Sequence, residues 1–503
     1  MDAIFTDTIT RREMHDCSLC IQAPCTAACP KGLDCARILR SIWMDNEEYA
    51  SMTMPAENPC TGCDAPCVKE CIHSGKVDIP GLISHQEGLR VRDHQTEKVD
   101  FSVLKTDICG IPLENPFLLS SSIVSGTYEK CARAFEAGWA GVCFKTISSL
   151  DIHEASPRYS AIEGDNGAII GFKNIEQLSD HALADDLSIF RKLKENYPGK
   201  FLLASIMGQN EDEWRELAGL CEENGADAVE LNFSCPNMAE GGLGSDIGQV
   251  PELVEKFTAA AKSGCHIPVL VKLTPNVASM APAAEAAVRG GADGIAAINT
   301  IKCITGVNLH TYVSEPEVHG YSALGGYSGA AVKPIALRFV MELGQLPALK
   351  GKHISAMGGA ETWRDAAEFI LLGARTVQIT TAVMKYGSWI IEDLKSGLAL
   401  YMNQQGCRSI DELAGGGLPF VHSSTDMLER DTVIYPQIDR EKCVGCGRCV
   451  LSCADGGHEA LTMKEDRSIF LNAKKCVGCH LCALVCPEHA IETRGKRVPI
   501  KKK

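Results

Sequence analysis

Between Phe101 and Met402 the chain alternates two hydrophobic rhythms. Short apolar runs recur at Phe117 to Ser121, Gly141 to Thr146, Phe201 to Ile206, Ala228 to Phe233, Pro268 to Leu273, Gly294 to Ile298, His353 to Met357 and Thr376 to Ile379. Their length and their bounding turns suit strands. Between them, Glu129 to Ala137, Glu211 to Glu223, Pro251 to Ala261, Met280 to Arg289, Lys333 to Leu343 and Trp363 to Leu372 repeat apolar residues at helical spacing. Strands alternating with helices in this way predict an α/β fold, a closed (β/α)8 TIM barrel over residues 99–410.

Barrel enzymes place their chemistry just past the strand ends. Those positions hold Ser120 to Ser122, Lys145-Thr146, Met207-Gly208, Asn232 with Ser234 and Cys235, Lys272-Leu273-Thr274, Asn299-Thr300, Gly358-Gly359 and Thr380-Thr381. Few of these are packing residues. The glycine pair and the threonine pair follow strands seven and eight, where such barrels bind phosphate through backbone N–H groups. Lys145 and Lys272 point into the same mouth and favour an anionic or electron-rich cofactor, with a structural ion pair as the alternative for each.

Sixteen of the 25 cysteines form two sets of eight, one at each end of the chain. The C-terminal set reads Cys443-x2-Cys446-x2-Cys449-x3-Cys453, then Cys476-x2-Cys479-x2-Cys482-x3-Cys486-Pro487, which is the bacterial ferredoxin run written twice. Three thiolates from one loop face one cluster and the fourth crosses to its neighbour. Cys443, Cys446, Cys449 and Cys486 are therefore expected on one 4Fe-4S cluster, and Cys476, Cys479, Cys482 and Cys453 on the other, within an α+β ferredoxin domain at 433–503. Four thiols in one run do not suit zinc, which takes one ligand pair from each of two knuckles.

The N-terminal set, Cys17-x2-Cys20-x4-Cys25-x3-Cys29 and Cys60-x2-Cys63-x3-Cys67-x3-Cys71, suffices for two more clusters in an α-helical domain at 1–98. Its irregular intervals leave both the pairing and a zinc scaffold open. Leu33 to Met52 has a helical spacing suited to packing over a cluster pair. Cys35 reads as a packed thiol, as do Cys109, Cys131, Cys143, Cys221, Cys265, Cys303 and Cys407. Residues 411–432 read as a linker, with Leu413 to Pro419 as the hinge.

A barrel with a phosphate site fused to cubanes predicts FMN, because a flavin converts one-electron traffic into a two-electron step on an organic substrate. No G-x-G-x-x-G turn follows a strand and opens a helix, so a separate flavoprotein subunit is expected to take electrons from NADH. The net charge of -15 argues against nucleic acid as a partner. The basic tail from Arg494 to Lys503 reads as a solvated end. Met1 to Arg12 has no signal-peptide pattern, and no apolar run of membrane-spanning length occurs. With so many thiols, these features predict a reducing cytoplasm.

The chain resembles dihydropyrimidine dehydrogenase, most closely the FMN and iron-sulfur catalytic subunit of the bacterial NAD-dependent form. The resemblance runs from Asp107 to about Val498. It is carried by Phe144-Lys145-Thr146, Phe172-Lys173-Asn174-Ile175-Glu176, Ala204-Ser205-Ile206-Met207, Leu231-Asn232-Phe233-Ser234-Cys235-Pro236, Lys272-Leu273-Thr274-Pro275-Asn276, Ile298-Asn299-Thr300, Gly326-Tyr327-Ser328-Gly329 and both ferredoxin runs. Residues 1–95 are similar to the cluster domain of the long single-chain relatives, which the short catalytic subunit lacks.

The resemblance implies that Cys235 is a general acid, that Asn174, Asn232, Asn299 and Thr300 hold a pyrimidine ring, and that Ser234 lies beside it. It further implies Lys145 and Lys272 at the isoalloxazine, with Ser121, Thr146, Gly329, Gly358, Gly359, Thr380 and Thr381 around the rest of FMN. The implied reaction is reversible reduction of uracil or thymine. Its electrons come from an NAD(P)H-oxidising FAD and iron-sulfur subunit, in a homodimeric or heterotetrameric assembly. Two departures stand out. Asn237 occupies a position where the long relatives carry histidine and dihydroorotate dehydrogenases carry asparagine. Ile83 replaces a glutamine cluster ligand, with Cys60 available to substitute. Dihydroorotate oxidation and a purely electron-relaying subunit are the competing readings.

Overall fold

The computed structural model describes residue 14 and residues 16–55, 57–84, 99–164, 167–238 and 242–500. Met1 to Arg12, residues 239–241 in the loop after the fourth barrel strand, and Lys501 to Lys503 lie outside the described residues. The chain forms two compact units, Met1–Val421 and His422–Lys503.

In the first unit the strands β1 (Phe117–Leu119), β2 (Gly141–Ile147), β3 (Phe201–Ile206), β4 (Ala228–Asn232), β5 (Val269–Lys272), β6 (Gly294–Ala297), β7 (His353–Ala356) and β8 (Thr376–Ile379) close into one parallel barrel. β8 pairs with β1, Val377 opposite Phe117, to complete the ring. Each apolar run read from the sequence is one of these strands. Helices Tyr128–Ala137, Glu211–Glu223, Pro251–Gly264, Ala281–Arg289, Lys333–Gln345 and Trp363–Leu371 pack around it. Their apolar stripes, such as Trp214, Leu217 and Cys221, are buried against the strands, which is the main source of their stability.

A second sheet was not legible in the sequence. Strands Ile301–Cys303, Gly325–Ser328, Ile169–Asn174 and Tyr159–Glu163 pair antiparallel in that order. They belong to the long excursions after β2 and β6. Ser328 and Asn174 are thereby placed at the barrel mouth.

The expected Leu33–Met52 helix is two helices, Cys35–Trp43 and Glu47–Thr53. Asp45 breaks the run with a φ of 58°. The corner is docked on the barrel helix Ile391–Gln405. Asp393, 3% exposed, accepts from Ser41 Oγ at 2.5 Å and Asn46 Nδ2 at 2.9 Å. Trp363 Nε1 donates to the Asp45 carbonyl at 2.7 Å. The glycine triplet is no free hinge: Gly415 N and Gly417 N donate to Ile370 O and Leu371 O, both at 2.9 Å. Without side chains these glycines lie close over a barrel helix, and the division between units falls after Val421.

The second unit is built from three antiparallel pairs, Thr432–Val433 with Val498–Pro499, Gln437–Ile438 with Ile491–Glu492, and Leu461–Met463 with Ile469–Leu471. Helices Arg448–Gly456 and Leu481–Leu484 follow its two cysteine loops.

Candidate active site and cluster sites

A cleft with about 1130 Å3 of empty space, part of it open to solvent, lies at the C-terminal ends of the barrel strands. Ser121, Lys145, Thr146, Asn174, Asn232, Cys235, Lys272, Asn299, Thr300, Gly329, Gly358, Gly359, Thr380 and Thr381 line it. Ser234 does not. It is fully buried behind the wall, because its neighbour Cys235 takes the cleft-facing position. Its hydroxyl donates to Asn232 Oδ1 at 2.8 Å and accepts from Asn299 Nδ2 at 2.8 Å. Its role in the geometry is to lock two asparagines together.

That lock extends across the mouth. Asn232 Nδ2 donates to Thr146 Oγ1 at 2.9 Å, and Thr146 Oγ1 lies 2.8 Å from Ser205 Oγ and 3.1 Å from Ser121 Oγ. Asn299 Oδ1 accepts from Thr300 N at 2.7 Å. The amides are held by side chains from several strand ends, so their donor and acceptor edges are fixed before anything binds.

Cys235 is 6% exposed and its thiol is pushed up to about 11. Burial is the main cause. The Asn237 backbone N–H, Lys272 and Lys145 pull the other way, and Glu154 adds to the rise. The thiol is therefore protonated at neutral pH. Ser245 N donates to the Cys235 carbonyl at 2.9 Å and folds the following loop back over it. Gly244 makes this possible: at φ 54° a Cβ there would stand 2.4 Å from that carbonyl oxygen.

Both lysines at the mouth have carboxylate neighbours. Lys145 Nζ lies 3.9 Å from Glu154 and 3.9 Å from Glu176, which also pairs with Arg158 at 3.2 Å. Lys272 Nζ lies 3.3 Å from Glu230. Sequence reading named none of these acids as site residues. It also missed Tyr159, Phe172 and Tyr327 of the mouth sheet, and Gln378, all of which line the cleft. The signal available for the sheet was the Gly326-Tyr327-Ser328-Gly329 motif, which needs a partner strand to be read.

The residues fit a phosphate-bearing flavin. Gly329, Gly358, Gly359, Thr380 and Thr381 form one wall. A Cβ on Gly359, at φ 85°, would stand 2.7 Å from Lys333 N and 2.8 Å from Gly329 O, so only glycine lets these loops close. Thr381 Oγ1 donates to Ser328 Oγ at 3.1 Å. Asn237 Oδ1 and Gln378 Oε1 are buried in the cleft wall without a protein partner, the state of acceptors that await a ligand.

The cysteines ring small voids. In the second unit one void of about 350 Å3 is lined by Cys443, Cys446, Cys449 and Cys486, and another of about 350 Å3 by Cys453, Cys476, Cys479 and Cys482. These are the crossed sets that the spacing predicts. Near the N-terminus a void of about 400 Å3 is lined by Cys17, Cys20, Cys25 and Cys71. Cys60 and Cys67 feel each other, Cys63 and Cys29, which gathers the remaining four. Among the described residues no three ligands converge on a point as a single metal ion requires. Every one of the four loops turns through positive φ two residues after its first cysteine, at Leu19, Gly62, Gly445 and Gly478. A second positive φ follows at Gln22, Ala65, Gly447 and His480. The N-terminal loops thus repeat the ferredoxin bend with one residue more. Ile83 is buried in this domain's apolar core.

A parallel barrel with this mouth and a dicluster unit define an iron-sulfur flavoprotein oxidoreductase. Residues 103–402 match the dihydroorotate dehydrogenase family and 436–493 the 4Fe-4S dicluster domain, and the chain belongs to that flavin enzyme family. It is 51% identical over 362 residues to the NAD-dependent dihydropyrimidine dehydrogenase subunit PreA of Escherichia coli K12, covering 72% of this chain and 88% of the relative. Similarity to the chloroplastic dihydropyrimidine dehydrogenase (NADP(+)) of Arabidopsis thaliana is 37% over 367 residues, or 71% of this chain and 85% of the relative. The catalytic subunit of dihydroorotate dehydrogenase B (NAD(+)) of Pyrococcus abyssi is 36% identical over 313 residues, covering 62% of this chain and 98% of the relative. The ligand-free DHODH of Eimeria tenella shares the fold, with a TM-score of 0.53 at 20% identity, covering 65% of this chain and 94% of the other. Among the described residues no helix is long and apolar enough to cross a membrane.

Proposed function

We propose that this chain is the catalytic component of a dihydropyrimidine dehydrogenase, reducing the 5,6 double bond of uracil or thymine reversibly. Asn174, Asn232, Asn299 and Thr300 bind the ring: an amide carries a donor and an acceptor in one plane, which matches the alternating edge of a pyrimidine base. Cys235 holds a proton at neutral pH and delivers it to C5; FMN, when bound, would supply the hydride chemistry at C6. Lys145 and Lys272 would face a bound flavin, and the wall of Ser121, Thr146, Gly329, Gly358, Gly359, Thr380 and Thr381 would hold the rest of it.

The observation that carries the choice of substrate is the charge at the mouth. Lys145 is shared between Glu154 and Glu176, and Lys272 is matched by Glu230. With both lysines compensated, the site suits an uncharged base better than a ring bearing a carboxylate, despite Asn237. The buried, protonated Cys235 argues against a barrel that only relays electrons.

The clusters, when assembled, would supply electrons from a partner that oxidises NAD(P)H. The N-terminal thiols form two further 4Fe-4S sites, Cys17, Cys20, Cys25 and Cys71 in one and Cys29, Cys60, Cys63 and Cys67 in the other. Cys60 supplies the ligand that Ile83 does not. Purified protein supplied with a low-potential viologen donor is expected to convert uracil to dihydrouracil. Conversion of orotate with uracil left untouched would overturn the assignment.

A further inference from the structure

The barrel interior beneath the cleft contains a buried acid. Glu230 of β4 is fully buried and does not line the cleft. Its Oε1 lies 3.3 Å from Lys272 Nζ and accepts from the Cys143 thiol at 3.4 Å. Its Oε2 accepts from Gln378 Nε2 at 3.2 Å. Lys272 and Gln378 both line the cleft.

Each contact sets something the cleft feels. A carboxylate only accepts, so it fixes the Gln378 amide with its nitrogen turned inward, where Nε2 also donates to Ser355 Oγ at 3.0 Å. Gln378 Oε1 is left as a buried acceptor without a protein partner. Lys272, 4% exposed in its side chain, presents an ammonium whose field Glu230 opposes from behind at low dielectric. The position of the acid therefore decides how much positive charge reaches a bound molecule.

We infer that Glu230 is a positioning residue that sets the charge Lys272 presents to the cleft, and through it the reduction potential of the flavin. This rests on the FMN reading above. Reduction adds electron density to the flavin, which a cation favours and a nearby carboxylate disfavours. Removing the carboxylate leaves Lys272 uncompensated and makes reduction easier.

The test is a spectroelectrochemical titration of the FMN-loaded full-length protein, with the flavin signal taken as the difference from FMN-free protein. Relative to wild type, Glu230→Gln is expected to shift the flavin midpoint to more positive potential. In a Lys272→Met background the same substitution is expected to produce no shift, because a buried Glu230 without its cation takes up a proton and is already as uncharged as glutamine. Full FMN content with an unmoved midpoint would overturn the inference, as would an equal shift in both backgrounds. If the lone buried ammonium of Glu230→Gln prevents folding, Glu230→Asp carries the test. It keeps the charge at shorter reach, and its midpoint is expected to rise by less; no rise overturns the inference. Wild-type protein that binds no FMN would instead overturn the cofactor reading.

Discussion

Asn237 Nδ2 lies 3.2 Å from Asn174 Oδ1, and the same nitrogen donates to Glu176 O at 2.8 Å. The loop after β4 is thereby tied to the mouth sheet, and Asn174 is held by Asn237. Asn237→Ala removes that clamp without touching Cys235. We expect KM for uracil to rise roughly tenfold, about 1.4 kcal/mol of lost binding, with kcat changed far less. Steady-state kinetics check this split. A fall in kcat with KM unchanged would place Asn237 in the chemical step instead.

The proposed acid Cys235 can serve only while protonated. Its folded value of about 11 lies above the ordinary thiol range, so the proton is retained up to that pH and lost above it. The protonated form thus also contributes stability below the ordinary thiol pKa, which fades as pH rises through the folded value. Turnover is expected to show no thiol-linked decline between about pH 6 and 9. Cys235→Ala is expected to reduce kcat at least about a hundredfold with FMN content unchanged. A pH profile that falls with an apparent pKa near 7 would contradict the assignment.

The N-terminal thiols separate into two sets by contact, and the bend of their loops repeats that of the ferredoxin unit. Chemical analysis of anaerobically purified protein is expected to give about sixteen irons and as many labile sulfides per FMN. Cys63→Ala is expected to remove about four irons, since it breaks one set and spares Cys17, Cys20, Cys25 and Cys71. A wild-type count near eight would confine the clusters to the C-terminal unit.

Asp393 joins the N-terminal helices to the barrel through Ser41, Asn46 and Arg40, the last at 3.4 Å. Asp393→Ala leaves buried donors unpaired, at a cost of about 2 kcal/mol. We expect an early transition in denaturant that exposes residues 14–84 to protease while the barrel persists. A single transition at the wild-type midpoint would show that packing alone holds this segment.

The barrel was legible because its strands are buried and apolar, and because helices of regular period separate them. Both C-terminal cluster sets were legible for a different reason: a fixed spacing of one chemically distinctive residue encodes the fold of its loop. Other features resisted reading. The mouth sheet pairs Gly326 with Asn174, residues 152 positions apart, and short strands in long excursions carry no local rhythm. The acids beside Lys145 and Lys272 lie on other strands or in the excursion after β2, so their pairing exists only once the barrel closes. Ser234 fell on the wrong side of the wall because one residue of register at a strand end reverses the direction of a side chain.

The central claim is that the cleft oxidises and reduces an uncharged pyrimidine through its flavin. Anaerobic protein mixed in turn with dihydrouracil and dihydroorotate measures this most directly, by the loss of flavin absorbance. Dihydrouracil is expected to bleach the flavin while dihydroorotate leaves it oxidised. Bleaching by dihydroorotate alone would contradict the account.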